Sequence, residues 1–366
     1  MKVFIDKILK LLNYVLAVVL LLTYVSVYIS PEFFWPMAFL GLAFPFLVIA
    51  NVLFGIYWIV KKKMLFLLSL IVLLIGINPI SRLWQVDFWG NSNTQTLESK
   101  RDISILSYNV RIFNLLGNTQ FGEDQKKLFS LIREENPDIV CFQEFYINDH
   151  KHFNLDTISR QLPYLKHNHI FWLSKDSSFK YGIATFSKYP IVKKGRIDFG
   201  KSLNSTIFTD ILIDKERIRV YNNHLQSIRF NRNNYQFISN QSRYSDQQRL
   251  REIRDISFRL RDAFVKRSRQ AEKIAASINR SAYPVLVCGD FNDTPVSYTY
   301  HTISSGLNDA FVEAGSGVGI TYKGKFPSYR IDYIFYDDAL GINEFEIIKK
   351  PLSDHYPLKA SVSIKK

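Results

Sequence analysis

The chain has 366 residues, 47% hydrophobic and 22% charged, with a formal net charge of +14. Its two cysteines, Cys141 and Cys288, each lie in a β-like apolar run, which excludes a disulfide framework and a cysteine-ligated metal. The globular average hides an asymmetry: residues 11–80 are almost continuously apolar, and +10 of the charge falls beyond residue 100. A basic excess of this size fits nucleic acid or anionic lipid headgroups as partners, and equally a solvated surface.

Three apolar runs come first, predicting membrane spans near 11–30, 37–60 and 64–80 in an anchor over 1–80. Aromatic residues fill the turn Pro31-Glu-Phe-Phe-Trp-Pro36, and Lys61-Lys62-Lys63 follows the second run. Successive runs without a small-residue cleavage site do not fit a signal peptide. Lys2, Lys7, Lys10 and the lysine triplet orient the first two runs, since the intervening turn carries no Lys or Arg. That bias predicts an integral protein of the plasma (inner) membrane, with the N-terminus cytoplasmic and everything after residue 80 outside. If the third run does not span, the rest is cytoplasmic instead. Residues 81–101 read as a linker in which Trp84 and Trp89 are headgroup anchors.

From 102 to 366 the pattern becomes strand, helix, strand. A run over 103–110 alternates and ends at Asn109. Residues 125–135 carry a helical period and stop before Pro137. A buried strand over 138–144 ends at a carboxylate, Glu144. Further strands are predicted at 181–186, 207–213 and 217–223, the last closing at His224. Residues 226–248 are polar and loop-like, and 250–279 read as an arginine-rich helix. The short apolar strand 285–288 stops at Gly289, so that Asp290 and Asn292 project to one side of its end. A strand at 330–336 carries Asp332, and Asp354-His355 lies on a turn before a last strand at 359–364. The interspersed order predicts a layered α/β domain.

Asn109, Glu144, His224, Asp290, Asn292, Asp332, Asp354 and His355 all terminate otherwise apolar strands or turns. Any one is ordinary turn chemistry; eight together are not. Acids and amides without cysteine form a hard-oxygen donor set suited to Mg²⁺, with Mn²⁺ also accommodated. Separate histidines suit water orientation and stabilisation of charge developing on phosphorus. With no Gly-x-Ser-x-Gly elbow and no phosphate loop, metal-assisted hydrolysis outranks covalent acyl chemistry.

The ordered segments Ser107-Tyr-Asn-Val110, Pro137 through Glu144, Tyr181 through Pro190, Asn222-Asn-His-Leu225, Gly289-Asp-Phe-Asn292, Arg330-Ile-Asp-Tyr333 and Ser353-Asp-His355 resemble the endonuclease/exonuclease/phosphatase family. The resemblance implies a four-layer α-β-β-α sandwich of two mixed sheets, with the site along one edge. It implies that Glu144 is the principal Mg²⁺ ligand, supported by Asn109 and Asp354. Asp290 would orient or deprotonate water, and Asn292 would hold a phosphate oxygen. His224, with Asn222 beside it as a substrate contact, would stabilise the transition state. His355, paired with Asp332, would act as base or polarise phosphate. Whether Asp290 or His355 takes the proton, and whether one metal binds or two, stays open here. Arg111 follows Asn109-Val110 where apurinic endonucleases tend to carry an acid, which argues against abasic-site repair.

The function expected is a membrane-anchored, Mg²⁺-dependent phosphodiesterase or nuclease. The arginines of 249–269 favour nucleic acid. The alternative is a phospholipid or inositide phosphohydrolase, for which the spans and the same arginines also speak. No protein partner can be inferred. The loops 226–248 and 315–328 are expected to set specificity.

Overall fold

The computed structural model describes residues 2–85, 99–114, 121–148, 153–175, 179–240, 242, 244–324 and 328–365. Two six-stranded sheets form the centre. In the first the order is Leu340–Ile347, Leu358–Lys365, Ser99–Asn109, Ile139–Asn148, Phe179–Ser187, His167–Lys175. In the second it is Asn308–Asp309, Asp332–Tyr336, Val285–Asp290, Glu216–His224, Ser205–Ile213, Ile191–Ile197. Each is mixed: Ser99–Asn109 runs parallel to Ile139–Asn148, and Glu216–His224 parallel to Val285–Asp290, while the remaining pairings are antiparallel.

Strand periodicity builds the layers. Ile103 and Ile105 face inward with Leu286, Cys288, Val220 and Ile334, filling the space between the sheets. Leu106 and Tyr108 point the other way, onto Leu128, Leu131 and Ile132 of the helix Phe121–Glu135. Val285 and Val287 likewise meet Ala271, Ile274 and Ile278 of the long helix Asp246–Ile278. The four-layer α-β-β-α sandwich is as expected.

The elements that differ from expectation have identifiable causes. His167–Lys175, Ile191–Ile197 and Leu340–Ile347 did not stand out as strands, and all three are sheet edges. Ile191–Ile197 carries Lys193, Lys194 and Arg196, the mixed composition that discourages edge-to-edge pairing. The expected loop 226–248 contains a helix, Arg232–Ser239, opened by a capping box between Asn231 and Asn234. A second box between Ser245 and Gln248 starts the long helix at Asp246. Glu144 does not end its strand. It occupies a bulge inside Ile139–Asn148, between Phe142 and Phe145.

The N-terminal runs form a helical bundle. Lys2–Ser26 and Ala38–Val60 are joined through Pro31–Phe34 and the 3-10 turn Trp35–Met37. Among the described residues two helices are long and apolar enough to cross a membrane. The third run differs from the single span expected over 64–80. It is the ten-residue helix Phe66–Ile75, broken at Gly76 and continued by Ile77–Ser81. Trp58 Nε1 donates to Asn13 Oδ1 (2.9 Å), and Asn13 Nδ2 donates to Ser69 Oγ (3.0 Å), tying the three together. The expected linker is described only in part: Trp84 pairs across a two-residue ladder with Val318, and Trp89 lies outside the described residues.

The bundle docks on the sandwich by the turn between its two long helices. Arg269 Nη2 donates to Glu32 Oε1 (2.6 Å), and the Phe39 and Phe264 rings meet edge to face with centroids 5.4 Å apart. At Gly41 the helix touches the domain backbone: a Cβ there would meet the Val296 carbonyl oxygen at 2.2 Å. Thr294 Oγ1 donates to Gly41 O (3.3 Å) and Tyr329 Oη to Leu42 O (2.9 Å). Lys61–Lys63 and the N-terminus therefore lie at the far end of the bundle, about 34 Å away along a 23-residue helix.

Candidate active site

The inward-facing period of four strands, carried to their ends, builds the site. Asn109 continues the face of Ile103 and Ile105, Asp290 that of Leu286 and Cys288, His224 that of Val220, and Asp332 that of Ile334. Each rises at the lip of the seam between the sheets. Gly289 makes one approach possible: at φ 129° it lies against Asn223, whose carbonyl oxygen a Cβ would meet at 2.1 Å. Glu144 reaches the same lip because the bulge holds it at φ 52°, turning it off the face that Phe142 and Phe145 share.

Asp290 is the hub. Its Oδ2 accepts from Asn109 Nδ2 (2.9 Å) and Asn292 Nδ2 (3.1 Å), and its Oδ1 accepts from the Asn292 backbone N–H (2.8 Å). His224 Nε2 lies 3.9 Å and His355 Nε2 3.7 Å from Asp290 Oδ2. His224 Nε2 is also 3.8 Å from Glu144 Oε1. Across the seam, His355 Nδ1 meets both oxygens of Asp332, at 3.1 and 2.9 Å. Arg111, which follows Asn109 by two, brings Nε to 3.4 Å from Asp354 Oδ2, while its backbone N–H donates to Asn109 Oδ1.

Electrostatics separate the two histidines. Burial works against a charged His355, but the carboxylates of Asp332 and Asp290 prevail and lift it to about 10. Burial dominates at His224 and lowers it. Asp290 is raised to about 6, first by burial and then by Asp332, against the pull of both histidines. Burial and then Asp354 also raise Glu144, with His355 opposing. The surroundings thus favour the charged form of His355 and the neutral form of His224, and raise Asp290 above the usual carboxylate range.

Eight of the nine residues singled out from sequence converge here; Asn222 is the correction. It shares the face of His224 but lies two residues deeper and fully buried. Its carboxamide donates to Ala184 O (2.9 Å) and Phe142 O (3.3 Å) and accepts from Gln143 Nε2 (2.7 Å). Asn222 binds the two sheets together under the site and has no surface for a substrate. Asn292 lines the cavity, but its amide donates to Asp290 and to Leu225 O (3.1 Å), so it fixes Asp290 in place.

The structure adds Arg229, Tyr235 and Tyr322 to the walls of a cavity of about 250 Å³ that also holds Glu144, Asp290, Asp354 and His355. The Tyr322 ring meets His355 edge to face with centroids 5.1 Å apart. Arg229, at φ 54°, also borders a neighbouring basic groove of about 680 Å³ with Lys201, Lys266, Arg269 and Lys273. Arg229 and Tyr322 lie on loops and Tyr235 on the short helix Arg232–Ser239, none with a strand period to mark it in the sequence.

Two donor sets could take a divalent cation. Asp290, Asp332 and His355 bring one ligand atom each within 4.8 Å of one another. There, however, His355 Nδ1 and both Asp332 oxygens are spent on each other. Glu144, Asp354 and Asn109 would offer oxygen donors only, Asn109 Oδ1 and Asp354 being already engaged by Arg111; burial and Asp354 disfavour the Glu144 charge, a conflict that a cation would relieve.

The arginines of the long helix are largely occupied. Arg249, Arg259, Arg261 and Arg269 each pair with a carboxylate at the surface. Arg267 is buried, donating to Asp293 Oδ2 (3.1 Å) and Gln226 O (2.8 Å).

Comparison with known proteins agrees with this geometry. The sequence pattern of the Endonuclease/Exonuclease/phosphatase family matches residues 106–355, and residues 6–83 match a family described only as a domain of unknown function. No curated protein matches the chain. A humanized D. rerio TDP2 superposes with a TM-score of 0.51 at 16% identity, covering 72% of this chain and 99% of that one. The human Nocturnin catalytic domain with bound sulfate does so with a TM-score of 0.51 at 18% identity, covering 72% and 95%. An endonuclease/exonuclease/phosphatase from Bacteroides vulgatus gives 0.51 at 18%, covering 73% and 100%. The chain belongs to the endonuclease/exonuclease/phosphatase family.

Proposed function

We propose that the protein is a membrane-anchored, Mg²⁺-dependent hydrolase of phosphate esters. The observation that carries this reading is the Asp290 hub, held by Asn109, with two histidines of opposite charge tendency and the carboxylates of Glu144 and Asp354 at one cavity. A cation held by those carboxylates would supply positive charge to the phosphate oxygens. Asp332 fixes the orientation of the His355 ring and favours its charged form, which suits it to a phosphate oxygen and leaves Asp290 as the acceptor of the water proton. His224, neutral and within 4 Å of both Glu144 and Asp290, orients the water or donates to an equatorial oxygen. Asn109 and Asn292 hold Asp290 in position.

The anchor reading rests on exposure. In each long helix only 22% of the apolar window is buried, whereas the core helix of a soluble protein is mostly buried. The domain docks at Glu32, Phe39 and Gly41, by the turn between the two long helices, so the lysine-rich end of the bundle lies opposite the catalytic domain whether or not Phe66–Ile75 crosses. The bias of cations toward the cytoplasm then puts the catalytic domain outside.

Two ester classes fit the centre. The basic groove beside Arg229 favours a nucleic-acid phosphodiester, and a D. rerio TDP2 structure complexed with a single-strand DNA product shows this fold with one. The contact between the cavity and the anchor favours a lipid-borne ester. The test is hydrolysis by the full chain with and without EDTA on DNA, RNA, inositides and phospholipids. We expect Mg²⁺-dependent turnover on one class, abolished in Glu144→Gln; no EDTA-sensitive turnover on any of them refutes the reading.

A further inference from the structure

The cavity that holds Asp290 and His355 also has an apolar lining. Leu42, Ile228, Phe230, Leu260, Tyr329 and Ile331 contribute to it, beside the Arg267–Asp293 pair. Leu42 is the fifth residue of the second long apolar helix, and Tyr329 Oη donates to its carbonyl. The anchor therefore supplies part of the active-site wall. Within the same helix Phe46, Ile49 and Leu53 are 60, 57 and 60% exposed, so the lipid-facing surface begins one turn beyond Leu42.

A second feature points the same way. In the long helix Asp246–Ile278, Leu260 lines this cavity and Phe264 packs on Phe39. The same face continues backward at spacings of three and four through Ser257, Ile253 and Leu250. Leu250 and Ile253 are 68 and 51% exposed, and Arg251 and Arg254 flank them. This is the pattern of a helix lying along a lipid surface, continuous with the docking contact that the anchor already makes.

Resting on the hydrolase reading above, we propose that the substrate is an amphiphilic phosphate ester resident in the lipid layer. Its phosphate sits in the cavity beside Asp290 and His355, and the first stretch of its hydrocarbon lies against Leu42 and Tyr329. Water adds to phosphorus, one P–O ester bond breaks, and the proton taken from water ends on the departing alcohol oxygen. Nucleic acid, which carries no such chain, gains nothing from this wall.

The experiment uses the full chain in detergent with Mg²⁺ and a series of 4-nitrophenyl alkyl phosphodiesters of increasing alkyl length, followed by nitrophenolate release. Each methylene buried against the wall should raise kcat/KM roughly fourfold until the wall is covered. Leu42→Gln should flatten that dependence. A flat series with the wild-type protein overturns the proposal without needing any variant, and so does cleavage of single-stranded DNA at a kcat/KM above every alkyl member. Either result leaves the hydrolase reading intact, whereas no Glu144-dependent hydrolysis of any ester removes both.

Discussion

Replacing Asp332 by Asn isolates the charge that holds His355. The native carboxylate meets Nδ1 at 3.1 and 2.9 Å, and both side chains are buried. At an effective dielectric of about 20, opposite charges at this range attract by ~6 kcal/mol before desolvation is subtracted, and charge-assisted bonds in proteins retain ~1.5–3 kcal/mol. Asn is isosteric and keeps one acceptor for Nδ1–H, so the fold and ring orientation should survive while the imidazolium loses its counter-charge. We expect a loss of ~2–4 kcal/mol of transition-state stabilisation, which is about 30- to 1000-fold in kcat, with KM moving less. The assay is steady-state hydrolysis by the full chain at saturating Mg²⁺, with a thermal melt to confirm folding. His355→Gln should cost a similar factor, and the double variant should be little worse than the poorer single one, because the two residues act as one unit. A folded Asp332→Asn enzyme with native kcat, or losses that add in the double variant, refutes the pair as the phosphate-polarising element.

Three further outcomes test other parts of the structure. Glu144→Gln should weaken Mn²⁺ binding to the full chain at least tenfold by electron paramagnetic resonance, whereas Asp332→Asn leaves it within about threefold; the reverse order would move the cation to the Asp290–Asp332–His355 set. His169, hydrogen-bonded to Thr209 Oγ1 at 2.9 Å, is lowered to about 4 by burial and by Lys194, so its folded pKa lies below its unfolded one. It therefore contributes fully above about pH 6.5, and up to ~3 kcal/mol of stability is lost as pH falls toward 4; denaturant melts of His169→Gln should lack that slope, and an unchanged slope would exclude this histidine. Gly41→Val should cost ~1–3 kcal/mol in a thermal melt through its clash with Val296 O, while Gly55→Ala, whose Cβ would meet only Ser69 Cβ at 3.7 Å, should be neutral or stabilising. Equal melts for the two glycine variants would show that the anchor does not dock closely.

The central strands were legible because each is a buried apolar run that stops at a polar residue. That pattern marks Asn109, His224, Asp290 and Asp332 as polar residues at strand termini, while their shared edge follows from the family resemblance. Glu144 was legible as a residue but not as a geometry, since nothing in Phe142-Gln-Glu-Phe145 announces a bulge that turns one side chain over. Asn222 was misjudged for a related reason. A strand end fixes which face a residue takes but not how far below the lip it lies, and two residues separate a ligand contact from an inter-sheet brace. The strands Ile191–Ile197, His167–Lys175 and Leu340–Ile347 are edges whose apolar residues are interrupted by Lys and Arg, by His and Asn, and by Gly, Asn and Glu respectively. The short third helical run was overestimated because apolarity persists through Gly76 while the helix does not. Arg229 and Tyr322 reach the cavity from loops whose paths depend on tertiary packing.

The segment from Gly289 to Ser297 joins these observations physically. Asp290 and Asn292 belong to the polar centre, and Asp293 holds the buried Arg267 of the long helix. Thr294 and Val296 meet Gly41, and the carbonyl of Pro295 accepts from Arg82 at 3.4 Å. Within nine residues the backbone passes from the reacting groups to the anchor, with no flexible spacer between them. The anchor cannot shift by an ångström without moving the support of Asn292, or without opening the wall at Leu42. A soluble fragment beginning at residue 102 would keep every polar residue of the centre and lose Leu42, Phe39 and Arg82, leaving Leu260, Phe264 and Val296 uncovered. The N-terminal bundle therefore forms part of the cavity wall, and on the function proposed above the unit to assay is the full chain.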